Sequence, residues 1–72
     1  MIKALYIKKI IEADGGVIIS ANNFNTLELI AIAQTASHSK TIVTIKNVDK
    51  KAMIDLTRIA QAGQGRVIFD FT

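Results

Sequence analysis

Ser37-His38-Ser39 sets two hydroxyls beside the only histidine of the chain. Nucleophilic catalysis needs a serine next to a base that a third group orients. No carboxylate lies near this triplet in sequence, so it reads as a solvent-exposed loop insert at the end of a helix. Glu12 and Asp14 are two carboxylates near another helix end. Acid–base chemistry needs such a pair held in unlike environments, whereas these read as solvated turn residues. Gly63-Gln64-Gly65-Arg66 sets two glycines beside a cation. It lacks the Lys-Ser/Thr of a P-loop and precedes a strand, while phosphate loops precede a helix N-terminus. A helix C-cap is the better reading.

Asn22, Asn23, Asn25, Asn47 and Asp49 gather where strands lead into helices. Such ends hold ligands in α/β proteins, but Asn and Asp are also ordinary turn and cap residues. Both readings stay open for this cluster. One His and no Cys leave no disulfide and no zinc set. The residue inventory therefore points to a non-enzymatic chain with no cofactor and no metal.

Three segments could position these groups: Val17-Ile18-Ile19-Ser20, Val43-Thr44-Ile45-Lys46 and Val67-Ile68-Phe69-Asp70. Each is short, alternating and rich in β-branched residues, which predicts a strand. Their first residues lie 26 and then 24 positions apart. The segments before them also match. Leu29, Ile32, Ala33 and Gln34 correspond to Leu56, Ile59, Ala60 and Gln61, and Ile7, Ile10 and Ile11 take the same places before the first strand. Spacing of i, i+3, i+4 is one face of a helix. The order predicted is αβαβαβ, in units of about 1–21, 22–47 and 48–72 within one domain, 1–72. Ile2-Ala4-Tyr6 also alternates, so residues 1–13 are open to either helix or strand. Asn25 with Glu28 forms a capping box, Asp49 is placed as the cap of the third helix, and Gly63 as its stop. Asp55 is set to pair with Lys51 and Arg58 on a helix surface.

The repeat length and the alternation resemble the α/β solenoid class that includes the leucine-rich repeats. The Leu-x-x-Leu-x-Leu spacing and asparagine ladder of that family are missing, since Asn47 has Ala21 and Phe71 as its counterparts. No family is assigned.

Strands joined through helices are parallel. Crossovers of one hand that each move one strand along put all helices on one face of a small three-stranded sheet, a solenoid-like arrangement. Such a sheet has no reversal of strand order, the feature that makes the ligand crevice of open α/β enzymes. Val17, Ile19, Val43, Ile45, Val67, Phe69 and Phe71 are then directed at the helices, against Ile7, Ile10, Ile11, Leu29, Ile32, Ala33, Leu56, Ile59 and Ala60. The other sheet face carries Ile18, Thr44 and Ile68 in a row. Ile42 and Arg66 flank it on one side, and Ser20, Lys46 and Asp70 on the other. Parallel sheets are almost always covered on both faces, so this row is expected to be an interface, through the face or an edge strand. Ile18, Ile42, Thr44 and Ile68 are the expected contacts, and Lys46, Arg66 and Asp70 the rim.

The bulk composition fits an interaction module. Half of the residues are apolar, only 6% are aromatic, and the net charge is +3. A core of this size rarely supplies more than ~3–5 kcal/mol, so a partner or a second copy is an expected supplement. The alternative is a small regulator that binds nucleic acid through Lys8, Lys9, Lys50, Lys51 and Arg58. Phosphate binding wants its cations in one stripe, and these are interleaved with acids. No run is long enough to cross a membrane, nothing at the start reads as a signal peptide, and a cytoplasmic location is expected.

Overall fold

The computed structural model describes residues 3–72. Met1 and Ile2, where the alternating Ile2-Ala4-Tyr6 pattern begins, lie outside the described residues. Residues from Ala4 to Glu12 form helix α1. The helical period wins over the alternation because Ile7 and Ile11 fall one turn apart and are both buried. Strand β1 (Val17–Ser20) follows, then a single 3-10 turn at Ala21–Asn23 and helix α2 (Thr26–Ser39). Strand β2 (Val43–Lys46), helix α3 (Met53–Gly63) and strand β3 (Val67–Asp70) complete the order.

The strands pair in parallel in the order β1-β2-β3. The register runs Val17–Val43–Val67, Ile18–Thr44–Ile68, Ile19–Ile45–Phe69 and Ser20–Lys46–Asp70. The sheet is open, with β1 and β3 as its two edges. The helices pack as a layer in which α2 touches both α1 and α3.

Burial is greatest in the middle unit. Val43 and Ile45 of the central strand are 0% exposed, as are Leu29, Ile32, Ala33 and Ala36 of α2. Ile7, Ile11, Ile19, Leu56 and Ile59 complete the shared core from either side, together with Phe24 and Val48 from the connections. Phe24 anchors the start of α2. The capping box there is complete, with Asn25 Oδ1 accepting from the Glu28 amide at 2.8 Å and Glu28 Oε1 accepting from the Asn25 amide at 2.9 Å.

Several expectations need correction. Ile10 is 44% exposed, because α1 stands at the end of the helix layer and no described residue covers its outer flank. Ala60 is exposed for the same reason on α3. Phe71 is 68% exposed, since β3 ends at Asp70 and the chain turns as Asp70 accepts from Thr72. Asp49 does not cap α3. That helix starts at Met53 behind Ala52, which offers no side-chain cap. Gly63 is the last residue of α3, as expected of its stop, but the left-handed turn falls on Gln64 after it, at φ 49, rather than on the glycine. Ser37-His38-Ser39 is the last turn of α2 rather than a loop insert, and Lys40 takes the left-handed position at φ 55. Asp55 Oδ2 accepts from Thr26 Oγ1 at 3.4 Å, while Lys51, which lies before α3, donates its ammonium to the Phe24 carbonyl at 3.2 Å.

Candidate interaction surface: the uncovered sheet face

Side chains alternate across a strand. With Ile19, Val43 and Ile45 buried under the helices, the intervening residues are turned away from them. Ile18 is 71% exposed and Ile68 52% exposed, with Thr44 half-buried between them in register. Ile42 is also exposed, two residues before Thr44 and just ahead of β2. The fold therefore aligns Ile18, Thr44 and Ile68 in one row, with Ile42 exposed just before the middle strand. Buried positions keep Ile and Val because these stiff, branched residues pack well on a pleated surface. The same residue types at Ile18 and Ile68 meet no such neighbour layer.

The rim is polar and ordered. Ser20 Oγ accepts from the Asn22 amide at 3.2 Å and from Asn47 Nδ2 at 2.9 Å, which ties the end of β1 to the end of β2. Asn47 sits at φ 58, a conformation that asparagine tolerates. Asp70 accepts from both the hydroxyl and the backbone N–H of Thr72. Those two bonds, the hydroxyl first, hold its carboxyl below its ordinary pKa, and the charge of Lys46 on the neighbouring strand adds to the effect. Arg66 is half-buried at the other end of β3. Each of the three rim residues thus lies two positions in sequence from the row, Arg66 just ahead of β3 and Lys46 and Asp70 at the ends of their strands.

The remaining candidates are dispersed or already engaged. Asn25 is used by its capping box and Asn47 by Ser20, while Asn22 gives Ser20 its backbone N–H. A recess of about 300 Å³ lies beside Asn47, Asp49, Asp70 and Thr72. His38 is exposed and borders a wider recess with Gln34, Ser37, Ala62 and Gln64. The Ser37 hydroxyl donates to Gln64 Oε1 at 3.2 Å rather than to an imidazole. Among the described residues, no three His, Cys, Asp or Glu side chains gather as a metal set, and no helix is long and apolar enough to cross a membrane. Lys8 and Lys9 lie on α1, Arg58 on α3 beyond the intervening α2, and Lys50 and Lys51 before α3. The fold does not collect these five cations into one stripe, and Lys51 is already bonded to Phe24.

A second set of exposed apolar residues escaped the sequence reading. Leu5 and Tyr6 on α1, Leu27 on α2, and Met53 and Ile54 on α3 are each more than half exposed. Their only mark in the sequence is that they lie off the i, i+3, i+4 core face. Comparison with protein-family models, with curated proteins and with solved structures gives no match.

Proposed function

We propose that the chain is a small non-enzymatic interaction module that self-associates, two copies meeting back to back across the uncovered sheet face. The observation that carries this reading is the aligned row Ile18–Thr44–Ile68, two members of which are more than half exposed.

Charge arrangement supports a second copy as the occupant. A two-fold axis along the row sets β3 of one copy over β3 of the other, running the opposite way. Arg66 and Asp70 are equidistant from Ile68. The axis therefore opposes each Arg66 to the Asp70 of the other copy, and each Ile42 to the aliphatic stem of Lys46. A closed pair of this kind is self-complementary. Magnitudes set the strength. Four isoleucines, two from each copy, contribute roughly 1.5–3 kcal/mol each when fully removed from water. Association costs about 4–15 kcal/mol before any surplus remains. The dimer is accordingly a weak one.

The test is light scattering behind size exclusion at high micromolar protein. Wild type should run above the monomer mass, and Ile68→Lys, of unchanged circular dichroism, at a lower mass than wild type. Arg66→Glu and Asp70→Arg should each weaken the dimer, and the double variant should restore it. A wild-type monomer at that concentration defeats self-association. An Ile68→Lys variant that associates like wild type defeats this face as the site.

A further inference from the structure

The two core expectations that failed on the helices fail at opposite ends of the molecule. Ile10, Ile32 and Ile59 hold the same place in the three units, yet Ile32 and Ile59 are 0% exposed and Ile10 is 44% exposed. Ile11, Ala33 and Ala60 hold the next place. Ile11 and Ala33 are 0% exposed, and here it is Ala60 that is open. The sheet follows the same rule, with Val43 and Ile45 fully covered and Val17, Val67 and Phe69 only partly so. What the middle unit buries against its neighbours, the outer units leave uncovered on their free flanks.

From this we propose that copies of the chain also continue one another laterally. The α3 and β3 flank of one copy takes the α1 and β1 flank of the next, as α2 and β2 take α3 and β3 within a single chain. The occupant is a second copy in the same orientation. Inside the chain, Thr26 of α2 reaches Asp55 of α3 at 3.4 Å. A Cβ on Gly63 of α3 would stand 3.6 Å from that of Ala33 of α2. The place of Thr26 is held in α3 by Met53, and the place of Asp55 is held in α1 by Tyr6. Met53 is 73% exposed and Tyr6 55% exposed. Met53, Thr57 and Ala60 make an uncharged flank on α3, and Tyr6 and Ile10 make an apolar pair on α1 with the exposed Lys3 and Lys9 each three residues from Tyr6. A thioether against an aromatic ring is a favourable contact. The edges match as well. β1 and β3 are both four-residue parallel strands, and an unpaired edge is a template for a further strand. This contact is head-to-tail, so each added copy leaves one free flank at either end and the series does not close by itself. It uses other residues than the back-to-back pairing and does not rest on it.

The chain has no cysteine, so introduced thiols report directly. Tyr6→Cys and Met53→Cys are made separately, both at exposed positions, and oxidised mildly alone and as an equimolar mixture at high micromolar concentration. The expected result is a disulfide-linked dimer in the mixture and its loss in either variant alone, because Tyr6 meets Met53 and not another Tyr6. Ala60→Arg in the Met53→Cys partner should abolish the crosslink. Repeating the mixture in the Ile68→Lys background should leave it intact, which separates this contact from the sheet-face dimer. No crosslink in the mixture, or equal crosslinking in the single variants, overturns the proposal.

Discussion

At the scale of single residues, Asp70 is the group whose protonation the fold alters. The Thr72 hydroxyl and backbone N–H both donate to its carboxylate, and the Lys46 charge reinforces them. Hydrogen bonds to the charged form favour it, so the folded carboxyl titrates below its unfolded value. The sign of the linkage follows: the contribution to stability is present above the unfolded pKa and is lost as pH falls through the folded one. The carboxylate is open to water although the residue is half-buried, which keeps the effect small. A carboxyl-carbon NMR titration should find Asp70 below the ordinary aspartate range, and Thr72→Ala should move it upward by removing the larger of the two donors. An unmoved titration in Thr72→Ala would show that the hydroxyl does not hold the carboxylate. Because the group stays ionised into mildly acidic solution, a rim pairing with Arg66 would persist there also. None of this was legible in the sequence, where Asp70 and Thr72 are only two polar residues near one end. The capping box at Asn25 and Glu28 was legible, since its two side chains serve backbone groups at a fixed spacing.

At the scale of elements, the period of the apolar residues was enough to place two helices and three strands, while over residues 1–13 it left helix and strand both open. The helix ends were not. Sequence reading looks for glycine where a helix turns left-handed, but Asp14, Lys40 and Gln64 take that conformation here, at φ 68, 55 and 49. A search for glycine therefore puts the left-handed turn of α3 one residue early, at Gly63, and reads the last turn of α2 as a loop. Gly63 has a different role. A Cβ there would lie 2.3 Å from Val67 Cγ2 and 3.3 Å from Val67 Cβ. The glycine allows α3 to approach the first residue of β3 closely. Alanine in a helix interior gains up to about 1 kcal/mol over glycine, and less at a last helical residue such as Gly63. Overpacking a close contact costs typically about 1–3 kcal/mol, and the crowding against a branched side chain beside the backbone decides the sign. Gly63→Ala should therefore destabilise the fold, read as a lower denaturant midpoint at unchanged slope. A higher midpoint would mean that α3 can move off the sheet freely. The exposed row on the sheet was legible because alternation alone sorts Ile18 and Ile68 from Ile19 and Phe69. The open flanks were not, because a repeat gives equivalent positions equal weight and does not mark which unit comes last.

At the scale of the whole molecule, the arrangement has one well-covered unit and two half-covered ones. The central helix and strand are sealed where they face each other, with Leu27 of α2 exposed on the outside, whereas the outer units keep partly exposed apolar residues on the sheet face, on the edges and on the helix flanks. A chain of 72 residues with no disulfide has few other sources of stability. Anything that binds the folded state and not the unfolded one raises apparent stability with its concentration. For a chain whose partner is itself, the melting temperature should rise with protein concentration. Over a hundredfold range reaching high micromolar, scanning calorimetry or circular dichroism should show that rise for wild type. The dependence should shrink in Ile68→Lys if the sheet face supplies the association, and in Ala60→Arg if the lateral contact does. Both positions are exposed, so the dilute melting temperatures of the variants should stay close to wild type, as surface substitutions usually change stability within about ±0.5 kcal/mol. A wild-type melting temperature independent of concentration would mean that the uncovered surfaces contribute nothing by self-contact. The thin core would then have to hold the fold unaided.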